Sequence, residues 1–274
     1  DGYDSVFLGV GGHKASKMGL TGEDITFGIF RGIDFLREIE MSFIPKLNGT
    51  VVVVGGGNTA IDAARTALRC GAEKVKIVYR RSIKEMPANQ EEVEAAQKEG
   101  IEILFLTNPK SIVTEDHKLI GIECLKMGLV EGKDGERAKP VPLEGSEFIV
   151  NCDYLISAIG QSVDTGFIKF DHDCTLEKWG TVCVNKETME TSIHGVFAGG
   201  DVVTGPFTAI TSIAQGKKAA RAIMSYLTTG KAKAGNGKFY SFKHNLAKIN
   251  EREYEGFRKL AREKMKELEV TDRV

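Results

Sequence analysis

The hydrophobic residues of the chain fall into short β-branched runs separated by segments in which apolar residues recur at helical spacing. Residues 50–54 form one such run, which is typical of a strand buried in a parallel sheet, and residues 75–79 form another. The segment between them predicts a helix that ends at Gly71, a common C-cap residue. The apolar face of this helix consists of Ala60, Ile61, Ala64 and Leu68. Strand, turn, helix and strand within about thirty residues predict a βαβ unit.

The same patterns predict the elements that flank this unit. Apolar runs predict further strands over residues 4–10, 101–106, 152–160 and 195–203. Helical spacing predicts helices over residues 26–40, 87–100, 207–227 and 250–269. The inward face of the helix predicted over residues 207–227 is expected to consist of Ile210, Ile213, Ala214, Ala220 and Ile223. Alternating strands between residues 109 and 150, with a turn at 131–136, predict an antiparallel insertion.

A glycine-rich turn joins the first strand of the βαβ unit to its helix. Gly55, Gly57 and Ala60 match the pattern G-x-G-x-x-A, which carries a mechanism when it lies between a strand and a helix. The first glycine permits the tight turn, the second lets backbone amides approach a pyrophosphate, and the alanine lets the helix pack close to the sheet. We therefore predict a dinucleotide site formed by Gly55, Gly56, Gly57, Asn58, Thr59 and Ala60. The alternative is a glycine turn that only packs.

Two adjacent cations, Arg80 and Arg81, end the second strand of the unit about twenty residues beyond the glycines. In a dinucleotide-binding fold this strand end meets the adenosine ribose, and an acid there accepts the 2′-hydroxyl of NAD. The chain has no acid in that place, and two guanidiniums suit a 2′-phosphate. The sequence therefore favours NADP over NAD; exposed charges without a ligand are the alternative.

Two other glycine clusters follow predicted strands. Residues 9–12 lack the full nucleotide pattern, so this segment is either a turn beside a bound group or a plain turn. Gly200 ends a later strand, Asp201 follows it, and a helix is expected to begin at about Thr208. An aspartate there can bond sugar hydroxyls, and the helix N-terminus can face a phosphate or an electron-rich ring. A capped turn without a ligand is equally compatible with this segment.

Composition narrows the function classes. With 37 Lys and Arg against 38 Asp and Glu, the net charge is −1, which argues against nucleic acid or an acidic membrane as a partner. No run of about eighteen apolar residues predicts a membrane span. The five cysteines include no Cys-x-x-Cys and no neighbouring His cluster, so we expect reduced thiols in a cytoplasmic protein, with no metal site and no redox dithiol.

The ordered segments "VFLGVGG", "VVVVGGGNTAIDAARTALRCGAEKV", "VYRRSIKEMPA", "LISAIG" and "GVFAGGDVVTG" carry a family resemblance. Together they resemble the NADPH-dependent flavoprotein module of the glutamate synthase small subunit and of the amino-terminal half of dihydropyrimidine dehydrogenase. The resemblance covers about residues 1–229, and the segment "YRR…MPA" is its most specific part. It places the chain among the two-dinucleotide-binding-domain flavoproteins related to glutathione and thioredoxin reductases.

The resemblance implies an α/β fold in which a Rossmann-like NADP domain is inserted into an incomplete FAD domain. By it, residues 48–150 form the NADP domain, residues 1–24 and 151–229 form the returning parts of the FAD domain, residues 25–47 form a connecting helix, and residues 230–274 form a linker and a charged helix. FAD would contact Gly200, Asp201 and the amides near Thr208, Ala209 and Ile210. The nicotinamide side would lie near Ala158, Ile159 and Gly160.

The resemblance also implies a function for a longer protein. The chain begins without Met inside a strand pattern and contains neither the leading FAD fingerprint of the family nor its Cys-rich iron–sulfur segment, so we expect a fragment whose own FAD binding stays open. In the parent protein we expect hydride transfer from NADPH to FAD, and onward transfer to iron–sulfur clusters or a partner subunit, with no catalytic side chain required. The alternatives are a thioredoxin-reductase-like dithiol enzyme and a non-catalytic nucleotide-binding module.

Overall fold

The computed structural model describes residues 2–41, 46–132, 137–166, 174–235 and 267–273. The strands are β1 (Val6–Leu8), β2 (Lys14–Ala15), β3 (Ile29–Arg31), β4 (Thr50–Val54), β5 (Lys74–Val78), β6 (Glu102–Leu104), β7 (Thr107–Glu115), β8 (Lys118–Val130), β9 (Lys139–Pro142), β10 (Phe148–Asn151), β11 (Tyr154–Ser157), β12 (Gln161–Ser162) and β13 (Val196–Ala198). The helices are α1 (Gly32–Glu40), α2 (Asn58–Arg69), α3 (Gln90–Lys98), α4 (Asp201–Thr204) and α5 (Ala209–Thr229). No helix in these ranges is long and apolar enough to cross a membrane.

A parallel five-stranded sheet in the order β3-β11-β4-β5-β6 forms the centre of the first half of the molecule. The predicted βαβ unit is present as β4, α2 and β5, and the helix ends with Gly71 in a left-handed conformation, as the sequence predicts. α3 follows, and its N-cap Asn89 accepts a hydrogen bond from the amide of Glu91. The carboxyl ends of β4, β5 and β11 therefore meet at one edge of the sheet.

The two faces of this sheet are covered by different layers. Val51, Val53, Ile77 and Ile156 face the helices α1, α2 and α3, where Phe35 and the alanines of α2 complete the core. Val52, Val54, Val78 and Leu155 face the antiparallel strands β7, β8 and β10 instead. The antiparallel insertion predicted from the sequence is thus confirmed, and it forms the third layer. Because both faces are buried, these strands read as continuous apolar runs.

The helix predicted over residues 26–40 is wrong for its first six residues. Ile29–Arg31 is the strand β3, which pairs in parallel with β11, and the helix begins only at Gly32. Gly28 explains the difference, because it has a φ of +96° and a side chain there would meet the Asp153 carbonyl at 2.8 Å. The apparent helical spacing of the aromatic residues is accidental, since Phe27 is 75% exposed.

The strand β11 lies in the middle of the parallel sheet, between β3 and β4. The division implied by the resemblance places residues 151–229 with the FAD domain and residues 25–47 in a connecting helix. The pairing of β11 with β4 and of β3 with β11 instead assigns both strands to the sheet that carries the glycine turn. The segment over residues 32–40 is helical, as expected.

A smaller second unit contains β1 paired with β13, β2 paired with β12, and the helices α4 and α5. Phe197 of β13 is fully buried and packs with Ala219 and Ala222 of α5. A neighbouring cluster joins Ala198 to Val202 of α4. This unit is built from segments that lie before and after the parallel sheet in the sequence.

The predicted inward face of α5 is mostly wrong. Ile210, Ile213, Ala214 and Ala220 are exposed, and only Ile223 packs against the core as expected. The helix contacts β13 through Ala219 and Ala222, whose small side chains let the two backbones approach, and in this orientation Ile210 and Ile213 face away from the core. The predicted charged helix over residues 250–269 and most of the turn at residues 131–136 lie outside the described residues.

Candidate functional site

The N-terminus of α2 lies at the carboxyl edge of the parallel sheet and presents free backbone amides. The amides of Gly57, Asn58 and Thr59 have no acceptor among the described residues, as expected for the first turn of a helix. A β-carbon built at Gly57 meets no atom within 4 Å, so the backbone there faces open space. These amides and the positive end of the helix dipole together form a cradle for an anion.

Glycine is required at the other two positions of the turn because neighbouring atoms leave no space for a β-carbon. Gly55 has a φ of +150°, and a β-carbon there would overlap the carbonyl of Ala158 on the neighbouring β11–β12 connection. A β-carbon at Gly56 would overlap the ring of Tyr79. Tyr79 is held in this place because its hydroxyl donates to the carbonyl of Glu85 at 2.8 Å. The glycine turn, the end of β5 and the end of β11 therefore pack directly on one another.

A cavity of about 550 Å³ opens at this edge of the sheet. Of the residues predicted from the sequence, nine line it: Gly55, Gly56, Gly57, Thr59, Arg80, Arg81, Ala158, Ile159 and Gly160. Asn58 and Ala60 do not line it. The side chain of Asn58 accepts a hydrogen bond from the amide of Asn89 at 2.9 Å, and Ala60 is fully buried where α2 packs on the sheet.

The charged side chains that line the cavity in the described part of the chain are all positive. Arg80, Arg81 and Arg137 line it, and no Asp or Glu does so within the described part of the chain. Glu85, the acid nearest to Arg80 and Arg81 in the sequence, accepts hydrogen bonds from the amide and hydroxyl of Ser82, and these bonds lower the pKa of Glu85 below its ordinary value. Glu85 is therefore engaged in a capping box instead of neutralising the arginines.

Arg137 is a lining residue that sequence reasoning missed. It lies between β8 and β9, more than fifty residues beyond the two arginines of β5, and no motif marks it. Only the folded antiparallel layer brings it to the carboxyl edge of the parallel sheet. The packing of Tyr79 on Gly56 was also missed, although an aromatic residue at the end of β5, opposite a glycine turn, is a signal for it.

The residues expected around a flavin lie in the second unit, apart from this cavity. Gly200 has a φ of +80°, and its amide donates to the side chain of Gln215 at 2.6 Å. Asp201 accepts a hydrogen bond from the amide of Phe207 at 3.2 Å, which fixes the connection between α4 and α5. A β-carbon at Gly12 would meet Asp201 and Pro206, so the turn at residues 9–12 lies against this segment.

The N-terminus of α5 also presents backbone amides without acceptors in the described part of the chain. Thr208 caps it by accepting from the amide of Thr211, while the amides of Ala209 and Ile210 have no acceptor in the described ranges. Ile210 and Phe207 are 79% and 70% exposed. The expected FAD-contacting residues Gly200, Asp201, Thr208, Ala209 and Ile210 thus lie close together along one short stretch of surface.

Metal and thiol chemistry have no visible site in the described part of the chain. No group of three or more potential metal ligands occurs there. All five cysteines are free, and burial raises the pKa of Cys124 and Cys152 to about 12. Thiols with raised pKa values are poor nucleophiles at neutral pH. The cavity, with its glycine turn and arginines, is therefore the candidate site of the first half of the molecule.

A helix N-terminus on a glycine turn, at the carboxyl edge of a parallel sheet, defines a dinucleotide-binding α/β protein. A profile of the family described as pyridine nucleotide-disulphide oxidoreductase matches residues 1–216. The chain belongs to this family. The family resemblance predicted from the sequence is therefore confirmed.

Similar proteins agree with this assignment. The chain is 46% identical over 230 residues to the NADP(+)-dependent formate dehydrogenase subunit beta of Moorella thermoacetica, a match that covers 83% of the chain and 32% of that subunit. It is 42% identical to the NADPH-Fe(3+) oxidoreductase subunit beta of Geobacter sulfurreducens, over 84% of the chain and 38% of that subunit. It is 35% identical to the glutamate synthase [NADPH] small chain of Escherichia coli, over 82% of the chain and 51% of the small chain. The chain thus spans about a third to a half of the length of these relatives.

Solved structures share the fold. Thioredoxin reductase of T. acidophilum matches with a TM-score of 0.64 at 23% identity, covering 82% of the chain and 66% of that structure. FprA of Mycobacterium tuberculosis in complex with NADPH matches with a TM-score of 0.65 at 18% identity, covering 83% of the chain and 64% of that structure. At these identities the likeness shows the fold alone. Together with the family match, it confirms the predicted α/β fold of the two-dinucleotide-binding-domain class.

Proposed function

We propose that the chain is the NADPH-binding part of an FAD-dependent oxidoreductase. The observation that carries this proposal is the cavity at the N-terminus of α2, which three arginines line and which no acid lines among the described residues. The free amides of Gly57, Asn58 and Thr59 would hold the pyrophosphate. The names of the Moorella, Geobacter and Escherichia coli relatives, each of which specifies NADP or NADPH, support this choice of cofactor.

The choice of NADP over NAD follows from the end of β5. NAD-specific sites place an acid there to accept the ribose 2′-hydroxyl, whereas this chain places Arg80 and Arg81 there. A carboxylate in that position would repel a 2′-phosphate, while a guanidinium forms charge-assisted hydrogen bonds with it. Each such bond contributes about 1.5–3 kcal/mol where it is shielded from water, and less at an exposed position.

The segment after β11, which neighbours β4 on the side away from β5, would receive the nicotinamide. Ala158, Ile159 and Gly160 line the cavity just after β11, and the carbonyl of Ala158 packs against Gly55. These residues would hold the nicotinamide ring, which would supply a hydride to FAD in the longer protein. The chain itself would bind the dinucleotide and orient it, because hydride transfer between two cofactors requires no nucleophilic side chain.

The second unit would hold part of the FAD. Asp201 would bond a sugar hydroxyl of the flavin chain, and the free amides of Ala209 and Ile210 at the N-terminus of α5 would face its electron-rich end. We divide the chain accordingly. The NADP domain contains the parallel sheet from β3 to β11 with the antiparallel layer, and the FAD domain contains residues 1–24 and the segment from β12 to α5.

The rest of the reaction belongs to the longer protein that the relatives' lengths suggest. Two of these relatives are named as beta subunits and a third as a small chain, which supports a partner subunit for this chain as well. We propose that electrons pass from the flavin to iron–sulfur clusters or to this partner, in the manner of the glutamate synthase small subunit, and that the protein is cytoplasmic. Neither a nucleic acid nor a membrane is needed.

The decisive experiment is calorimetric titration of the chain with NADP⁺ and with NAD⁺, comparing wild type with Arg80→Ala/Arg81→Ala. We expect tighter binding of NADP⁺ by the wild type and loss of this preference in the double variant. Lys74→Ala/Lys76→Ala is the matched control, because it removes two positive charges from β5 outside the cavity. Equal binding of both dinucleotides by the wild type would refute the proposal.

A further inference from the structure

Arg137 reaches the cavity from a different layer than the arginines of β5. It lies between β8 and β9 in the antiparallel layer, and it lines the same cavity as Arg80 and Arg81. Its side chain makes no hydrogen bond and no ion pair with the described residues. An exposed guanidinium that lines the cavity and has no acidic partner among the described residues is available for a ligand.

Arg81 fixes the position of this segment. Its Nε donates to the carbonyl of Ala138, the residue next to Arg137, at 2.8 Å. The carbonyl of Arg81 in turn accepts from the amide of Leu106 at 3.1 Å, and the carbonyl of Leu106 accepts from the amide of Met127 on β8 at 2.8 Å. The end of β5 is therefore joined to the antiparallel layer on both sides of Arg137 in the sequence. The two connections are at Met127, through Leu106, and at Ala138.

The hydrogen bond to Ala138 also divides the roles of the two adjacent arginines. Arg80 is exposed and makes no side-chain hydrogen bond with the described residues, so its whole guanidinium is free. Arg81 is partly buried and uses its Nε for the carbonyl of Ala138, which leaves only its terminal nitrogens for a ligand. Of the three arginines that line the cavity, Arg80 and Arg137 thus have guanidiniums without partners among the described residues.

We propose that Arg137 determines specificity for the 2′-phosphate together with Arg80, and that Arg81 acts mainly as a positioning residue that holds Arg137 in place. This inference rests on the proposed NADPH function of the cavity. A phosphate group has several acceptor oxygens and nearly two negative charges at neutral pH, so it accommodates guanidiniums that approach from two sides. Two layers of the fold would then converge on one ligand group.

The test uses two small ligands that differ only in the phosphate concerned. Binding of 2′,5′-ADP and of 5′-AMP is measured by calorimetry for wild type, Arg137→Met and Lys139→Met, with circular dichroism melting as the check on folding. For Arg137→Met we expect about a five- to twentyfold loss of 2′,5′-ADP affinity and less than about a twofold change for 5′-AMP. Lys139→Met removes the same charge two residues away, outside the cavity lining, and should change neither affinity by more than about twofold.

A double-mutant cycle tests the positioning role. Arg81→Met is measured alone and in the Arg137→Met background with the same two ligands. If Arg81 acts through Arg137, its loss of 2′,5′-ADP affinity shrinks in that background, so the two losses are less than additive. Fully additive losses would overturn the positioning role, because Arg81 would then contact the phosphate independently.

The outcomes separate this inference from the proposed function. If wild type prefers NADP⁺ over NAD⁺ but Arg137→Met behaves like Lys139→Met, the NADPH function stands and the role of Arg137 is refuted. An equal loss of both small ligands in Arg137→Met would likewise refute it as a specificity residue. If wild type shows no preference for NADP⁺, the proposed function fails, and this inference fails with it.

Discussion

Glu99 and Arg65 form a bidentate ion pair, with Nη2 of Arg65 2.7 Å from Oε1 of Glu99 and Nε 3.0 Å from Oε2. The side chain of Glu99 is 1% exposed, and Arg69 and Arg273 also approach it. Hydrogen bonds from Arg65, followed by those from Arg69, lower the pKa of Glu99 to about 2. Glu99 is the C-cap residue of α3 and Arg65 lies on α2, which follows the glycine turn. The ion pair therefore links α3 to α2.

Glu99→Gln should therefore destabilise the protein. The pKa of Glu99 is lower in the folded chain than its ordinary value of 4.5, so its stabilisation is complete above about pH 4.5 and is lost as the pH falls toward 2. We expect a loss of about 2–3 kcal/mol in the free energy of unfolding at pH 7, fading in acid. Urea denaturation followed by circular dichroism measures it. Glu102→Gln, in an exposed pair with Lys76, is the control and should cost about 0.5 kcal/mol or less; equal losses would contradict the prediction.

Alanine at the two outer glycines of the turn should have opposite effects. Gly55→Ala forces a β-carbon into the Ala158 carbonyl at a φ of +150°, so we expect a loss of about 2–3 kcal/mol in stability. Gly57 has a φ of −90° and open space beside it, so Gly57→Ala should fold with little change. Its methyl group would instead obstruct the anion cradle and weaken NADP⁺ at least about tenfold. Melting curves and calorimetry on both variants check this contrast.

The positive cavity should make binding of the phosphorylated dinucleotide sensitive to salt. Screening weakens interactions between exposed charges, with a Debye length of about 10 Å at 0.1 M salt. We expect the Kd for NADP⁺ to rise about fivefold between 50 and 500 mM NaCl and the Kd for NAD⁺ to rise less than about twofold. Because the net charge of the chain is only −1, a larger salt dependence for NADP⁺ would be due to the arginines that line the cavity. Parallel salt dependence for both dinucleotides would place the 2′-phosphate away from them.

The cysteines should react slowly in the folded protein. Burial raises the pKa of all five thiols, and those of Cys124 and Cys152 reach about 12. Only the thiolate is alkylated, so iodoacetamide at pH 8 should leave Cys124 and Cys152 unmodified until guanidinium unfolds the chain. Peptide mass spectrometry measures each site. A pair of cysteines that reacts rapidly after addition of NADPH would instead favour the dithiol reductase function.

The sequence predicts those elements of the fold that are specified by the local spacing of residues and by turn residues. The βαβ unit, Gly71, the antiparallel insertion and six of the predicted residues that line the cavity follow from spacing and turn chemistry, whereas Ala158, Ile159 and Gly160 follow from the family resemblance. The strand Ile29–Arg31 could not be recognised, because its partner β11 lies more than a hundred residues away. Arg137 was missed for the same reason. The inward face of α5 was predicted wrongly because hydrophobicity alone does not distinguish a face packed by alanines from an exposed face with larger residues.

The place of β11 in the sheet constrains the order in which the molecule can be assembled. β3 and β4 are close in sequence, yet β11 separates them in the sheet and is synthesised about a hundred residues after β4. While the chain emerges from the ribosome, β3 has no neighbour and β4 has one open edge until β11 arrives. The glycine turn would receive the backbone of Ala158 only at that late step. The βαβ unit alone would then be insufficient for nucleotide binding, which would require the whole segment from β3 to β11.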